Sequence, residues 1–451
     1  MSVRGPVFLI RSGWLTRWRR FPVDLQTSNK SKVFTRLCSS ASSDKMAARV
    51  PDPDKMFASG DEKTFQFQSS LPSLPLPDLQ NTLRKYLESV KPHVTPEEYS
   101  HTESIVRQFG SGIGQELQQK LKLKAQNSRN WMEKWWEDAA YFEGRYPIAP
   151  LVNLAGLFPY AYHCYPPKAG TQIERAGVIL HYTLKFWEMI RKERLKAEKD
   201  NKGNRFCMYQ FKRAFSTCRI PGINKDKLLS YFLTDSEGTS PGHLSVMCNG
   251  HIFVFDAVAA DGEILTPLEI QSQLQRIRDR CDNQPEGLGL GALTGDERTS
   301  WAKTRSQLLA LHPDNFKNLE LIQSSIINVA LDDNQPQDNS ELFHTTLAAN
   351  PANRWFDKSN TYIFYENGLG AANCDHAPCD GMMFVTMLLY TDLHIMRCQG
   401  QWKGSKEIRD HPEPVELEFR VNDDIRCAIE HAKLVFKTSV STLFYFATFF
   451  N

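Results

Sequence analysis

Apolar residues recur at helical spacing early in the chain. Leu79, Leu83, Tyr86, Leu87 and Val90 line one face of a predicted helix. Asp78 is placed to cap its start and Lys91-Pro92 to end it. Before it, Leu71 to Pro77 is an extended run stiffened by closely spaced prolines. A second helix is predicted over Pro96 to Phe109, with Pro and two Glu in its first turn. A third carries Ile113, Leu117, Leu121 and Leu123, and plain amphipathic packing is expected of all three. Asn130 to Trp136 mixes aromatic and polar residues and reads as a packed helix rather than a cofactor box; Val178 to Arg194, with Phe186 and Trp187, is another helix. The period then switches to two. Leu244, Val246 and Cys248 alternate up to Asn249-Gly250, and His251 to Val258 follows. Asn-Gly tolerates positive φ at both positions, so this is a hairpin. His243 and His251 flank it as polar strand residues. Helical patterns return over Thr266 to Ile277 and Asp296 to Leu311, with a polar loop at Asn334 to Asn339. Thr361 to Tyr365 is β-prone, and Met382 to Met396 is a helix. Helices alternating with short strands predict an α/β fold with a mixed sheet.

Composition narrows the classes. The chain has 451 residues, 41% hydrophobic, which is enough for a sizeable core. The net charge of +2 conceals a split: 11 Lys and Arg against 4 Asp make Met1 to Lys55 a +7 leader, leaving −5 on the remainder. A basic leader on a mildly acidic body is not the pattern of a nucleic-acid binder. The leader has no acid before Asp24, carries Arg4, Arg11, Arg17, Arg19, Arg20 and Arg36, and runs into Ser39 to Ser43. It reads equally as a mitochondrial transit peptide and as an extension preceding an initiator at Met46 or Met56, so the folded body is expected from about Met56. Ten Cys without paired spacing read as free thiols, and no apolar run is long enough for a transmembrane helix. The final Phe449-Phe450-Asn451 is not a peroxisomal targeting tripeptide. No internal repeat, Walker loop or dinucleotide fingerprint is present, and Gly287 to Gly291 reads as a flexible loop.

The candidate chemistry lies in Asn373-Cys374-Asp375-His376-Ala377-Pro378-Cys379-Asp380-Gly381. His376 stands where a strand hands over to a helix. Pro378 suits that helix's first turn, which would bring Asp380 back toward the imidazole. A carboxylate or carbonyl on one ring nitrogen fixes the tautomer and leaves the other free to take a proton. Three readings stand on these residues: a histidine satisfied by a local Asp, a metal site of Cys374, His376 and Cys379, and acyl transfer with His376 as base. A structural zinc site would want a second ligand cluster, and the chain has no C-x-x-C.

Motifs spread over the body settle the choice. Leu71-Pro-Ser-Leu-Pro-Leu-Pro77 with Thr82-Leu83, Gly170-Thr-Gln-x-x-Arg-Ala176, Phe215-Ser-Thr-Cys-Arg-Ile-Pro-Gly222, Asn353-Arg-Trp-Phe-Asp-Lys-Ser359 and the His376 stretch occur in one order. Together they resemble the choline/carnitine acyltransferase family. Thr64-Phe-Gln-Phe-Gln, Tyr86 to Pro92 and Phe109 to Gly114 are similar to its octanoyl branch, as is the Asp four residues after His376. That Asp also occurs in choline acetyltransferases.

The resemblance implies reversible transfer of a medium-chain acyl group between coenzyme A and the hydroxyl of carnitine. His376 would be the general base and Asp380 its orienting carboxylate. No acyl-enzyme, metal or cofactor is implied beyond coenzyme A as cosubstrate, and Cys374 and Cys379 become bystanders. The implied fold is a chloramphenicol-acetyltransferase-like domain, one of two similar domains forming a tunnel in a monomer. The implied location is the peroxisome. On this basis residues 1–55 are a leader and 56–125 a helical segment that packs with the second domain. Residues 126–415 form the first acyltransferase domain, and 416–451 begin the second, with Ser441 to Phe450 an apolar run leading into it. The coenzyme A segment, the carnitine-carboxylate clamp and the oxyanion stretch of the family find no match here. The chain alone is therefore expected to be inactive; a silent binding fragment and a choline acetyltransferase are the competing functions.

Overall fold

In a computed structural model of the protein, residues 50–158 and 171–448 are described, with side chains up to Ser441. The leader before Val50, Gly170 of the second motif and the side chains of the apolar run from Thr442 lie outside them. Among the described residues, nine strands follow in chain order: β1 Leu154–Leu157, β2 Thr217–Ile220, β3 Lys227–Ser230, β4 His243–Cys248, β5 His251–Asp256, β6 Asn328–Asp332, β7 Thr361–Tyr365, β8 Gly370–Cys374 and β9 Val415–Glu416. Seven build one sheet in the order β1-β8-β7-β6-β4-β5-β9. It is mixed: β4, β6 and β7 run parallel, and the other pairs are antiparallel. β2 and β3 form a separate two-stranded ribbon.

Strand alternation sends successive side chains to opposite faces. Val246 and Cys248 join the cluster built with helices Gln172–Arg191, Pro267–Asp282 and Gly381–Cys398. Met247, Ile252 and Val254 join Trp301, Leu308, Leu319, Ile425 and Ile429 on the other face. The sheet is therefore covered on both faces. Helix Asp423–Thr448 packs onto this same core.

Local chemistry sets the boundaries. Asn249 and Gly250 take φ of 47° and 78°, pairing Cys248 with His251 as the Asn-Gly signal predicts. Asp78 caps Leu79–Val90 through the Asn81 N–H. Thr171–Glu174 and Thr266–Glu269 form reciprocal capping boxes at the starts of helices Gln172–Arg191 and Pro267–Asp282.

Four expectations change. The helices Leu79–Val90, Pro96–Ser111 and Ile113–Gln126 stack mainly on one another and leave Tyr86, Ile105, Ile113, Leu117 and Leu123 exposed. Trp135 and Trp136 are also exposed: the helix that carries them spans only Glu133–Glu137, and Trp131 just before it is the buried one. Gly287 to Gly291 is packed rather than flexible: Gly287 abuts the backbone of Gly250, and Gly291 abuts the Arg354 carbonyl, approaches that leave no room for a Cβ. The folded body also begins before Met56. Val50 and Phe57 are core residues, and Phe57 meets Tyr390 edge-on.

That docked segment gives a first prediction. Asp54 accepts the Tyr390 hydroxyl at 2.8 Å and lies 3.4 Å from His394 Nε2. His394, and then Tyr390, hold the Asp54 carboxyl below the usual carboxylate range. A depressed carboxyl pKa contributes stability above its ordinary value, and this is lost as pH falls through the lowered one. Tyr390→Phe should cost about 1 kcal/mol at pH 7 by urea denaturation, discounted for the exposure of Asp54. The deficit should shrink at pH 3. An equal deficit at both pH values would mean that the Asp54 charge plays no part.

Candidate active site

β8 lies between β1 and β7 and delivers His376 just past its end. The helix after it starts at Gly381, not at Pro378. Asp380 is extended (φ −84°, ψ 161°) and is itself the N-cap. Its carboxylate accepts the Gly381 N–H at 2.7 Å, and its own N–H donates to Gln210 Oε1 at 3.0 Å. No hydrogen bond joins Asp380 to His376 among the described residues. Cys374 and Cys379 are buried, and burial raises both thiols well above their ordinary range. The Cys374 Sγ donates to Asn360 Oδ1 at 3.3 Å.

His376 is half-buried, and its Nδ1 is enclosed without a hydrogen-bond partner among the described residues. Its ring stacks on Tyr141, centroids 5.2 Å apart and planes at 23°. Tyr141 sits in a single wide π-type turn, Asp138–Phe142, closed by the Glu143 N–H on the Asp138 carbonyl at 2.9 Å. Its phenol is pushed up, first by burial and then by the negative charges of Asp380 and Asp375, against a hydrogen bond with Trp136.

The chain neighbour of His376, Asp375, is fully buried and takes both arms of a fork from Arg219: Nε to Oδ2 at 3.0 Å and Nη2 to Oδ1 at 2.6 Å. Asp375 also accepts the Ala377 N–H at 3.2 Å, bracing the turn around His376. The third Arg219 contact runs from Nη1 to the Tyr141 carbonyl at 2.8 Å. Arg219 stands on β2, within the Phe215–Gly222 motif. The ribbon is held in turn by Gly222, where a Cβ would collide with the Lys225 carbonyl. Arg145 ties this loop to the turn bearing Tyr141, reaching the Gly222 carbonyl at 2.6 Å and Asp226 at 3.0 Å.

Behind this lies the Asn353–Ser359 motif. The Asp357 carbonyl accepts the Arg219 N–H at 2.7 Å, and the Lys358 carbonyl accepts the Asp375 N–H at 3.3 Å. The Asp357 carboxylate meets Arg298 Nη2 and Trp301 Nε1 at 2.7 and 2.8 Å, yet burial still raises it to about 6. Lys358 is entirely buried on the Gln323 and Ser325 carbonyls, and desolvation lowers it to about 7.

Of the predicted pair, His376 occupies a braced, partly enclosed position, while Asp380 is at the surface capping a helix. The residues that brace His376 are Asp375, Arg219 and Tyr141. Two of them lay inside the motifs, but nothing in the spacing joined 219 to 375.

The model of the choline/carnitine O-acyltransferase family matches residues 74–450. The chain is 46% identical over 395 residues to peroxisomal carnitine O-octanoyltransferase of Bos taurus and 44% identical to that of Homo sapiens, covering 86% of this chain and 64% of each relative. It is 31% identical over 385 residues to carnitine O-acetyltransferase of Columba livia, covering 81% of this chain and 58% of that one. The chain thus spans less than two thirds of the length of these relatives.

Proposed function

The chain belongs to the choline/carnitine acyltransferase family, and from that premise we propose that its protein moves medium-chain acyl groups between coenzyme A and carnitine, with His376 as general base. The observation that carries this reading is the braced His376: a ring stacked on Tyr141, at a strand-to-helix turn tied by Asp375 to Arg219, in a chain 44–46% identical to carnitine O-octanoyltransferases. With Nδ1 enclosed, Nε2 is the nitrogen left to a substrate. It takes the carnitine hydroxyl proton as the oxygen attacks the thioester carbonyl, then returns it to the departing coenzyme A thiolate. Run in reverse, the same nitrogen deprotonates the thiol. Asp380 supports the imidazolium through space from the helix N-cap, not through a hydrogen bond. Acyl transfer of this kind needs no covalent enzyme intermediate, in keeping with two buried thiols, Cys374 and Cys379, whose raised pKa values make them poor nucleophiles. The names of the relatives support a peroxisomal location. No helix among the described residues is long and apolar enough to cross a membrane.

The test is coenzyme A release from octanoyl-CoA by native protein captured with antibody against this chain, with carnitine, choline or no acceptor. Carnitine-dependent release is expected, exceeding that with choline. Release with choline alone would move the reading to the choline branch, and release with neither would refute it.

A further inference from the structure

Among the described residues, no hydrogen bond fixes the orientation of the His376 ring, since Nδ1 has no partner. What remains is the stack on Tyr141 and the backbone on either side of His376. Both lead to one side chain. Arg219 holds Asp375, the residue before His376, with two bonds of its fork and holds the Tyr141 carbonyl with the third. We propose that Arg219 is a positioning residue for His376: by fixing the turn under the imidazole and the aromatic wall against it from a single guanidinium, it sets the ring's attitude and tautomer.

Three features favour this over a merely structural ion pair. The contacts use the planar fork, which a lysine ammonium cannot reproduce at both sites. Arg219 is also held from outside the turns that carry His376 and Tyr141, through its N–H on the Asp357 carbonyl. Its charge is balanced locally, since Arg145, Arg219 and Arg298 face Asp226, Asp357 and Asp375. A cluster with equal numbers of guanidinium and carboxyl groups can anchor the turn under the imidazole while adding little net charge of its own. The charged groups that act on the Tyr141 ring stacked against His376 are Asp380, Asp375 and Arg219. The inference rests on His376 being the base, but its readout does not require turnover.

The experiment is histidine ¹⁵N NMR on the folded chain, with the His376 signal assigned by His376→Gln. Nitrogen shifts report the tautomer, and a pH series reports the pKa. Arg219→Lys should change the tautomer balance and displace the His376 ring-nitrogen signals along the pH series. Arg354→Lys is the control: it perturbs an equally buried pair, with Asp332 at 2.7 Å, that does not touch this turn, and it should leave the His376 signal in place. If Arg219→Lys does not fold, Arg219→Gln combined with Asp375→Asn removes both charges together and should give the same displacement. An unmoved His376 signal in the folded Arg219 variant, or equal displacement by Arg354→Lys, overturns the proposal. A displaced signal in a protein that transfers nothing to carnitine upholds the positioning role and refutes the function instead.

Discussion

His376→Ala is expected to lower carnitine-dependent coenzyme A release by about 10²–10⁴-fold, the usual contribution of a positioned general base. The variant is to be expressed from the protein's own gene, so that everything but the imidazole is native. The loss should fall on kcat, because the proton is transferred in the transition state and not on binding. Stability should change little. The ring is only half-buried, and what it gives up is one stack with Tyr141, about 0.5–1.5 kcal/mol. Asp380→Asn should hurt less. Asparagine caps a helix as well as aspartate does, and among the described residues no hydrogen bond joins this carboxylate, which accepts the Gly381 N–H, to the imidazole. Release near the parental rate in His376→Ala would remove this residue from the mechanism. An Asp380→Asn variant as impaired as His376→Ala would show that the carboxylate does more than cap the helix.

Where local chemistry decides the structure, the sequence was readable. Asn249-Gly250 dictates the hairpin by its φ preferences, and Asp78 and Thr266 dictate helix starts through their side-chain oxygens. The apolar run Thr361 to Tyr365 is a fully buried strand. β8 escaped notice because Gly370, Ala371, Ala372 and Asn373 have neither bulk nor alternation. They are a strand because β1 and β7 hold them from both sides. The reading of Pro378 as a first-turn residue failed for a related reason. Proline suits a helix start, but Asp380 is the stronger cap, and the turn needed to place His376 occupies the residues between. At the site itself, a motif could point to His376, since strand-turn-helix is local. The brace could not be read this way. Arg219 and Asp375 are 156 residues apart, and only the ribbon of β2 and β3, lying under the end of β8, brings them together. Family resemblance marked both stretches as important without saying that they touch.

The largest expected loss of stability lies one shell further back. Arg298 is fully buried, with Nε on Asp226 and Nη2 on Asp357, both at 2.7 Å. Arg298→Met keeps an apolar stem but strands two carboxylates, and breaking such a buried pair costs about 3–5 kcal/mol. Asp226 retains Arg145 at 3.0 Å and the more distant Arg219 at 3.7 Å, so Asp357 bears most of the damage. Its carboxyl is already raised to about 6, because burial outweighs the pull of Arg298. A raised carboxyl pKa favours the fold while the proton is bound, and that contribution disappears as pH rises through the raised value. Without Arg298 the pKa must climb further. The deficit measured by urea denaturation should therefore be larger at pH 8, where Asp357 is forced to ionise unpaired, than at pH 5, where it keeps its proton. Arg298→Met with Asp357→Leu should recover much of the loss, since the carboxylate that remains, Asp226, keeps Arg145 and Arg219. A deficit independent of pH would show that Asp357 is not the stranded group. The same variant reports on the site, because the Asp357 carbonyl holds the Arg219 N–H. If the braced turn depends on this anchor, Arg298→Met protein that is still folded at pH 5 should show a displaced His376 resonance. A resonance that stays in place would confine the role of Arg298 to stability.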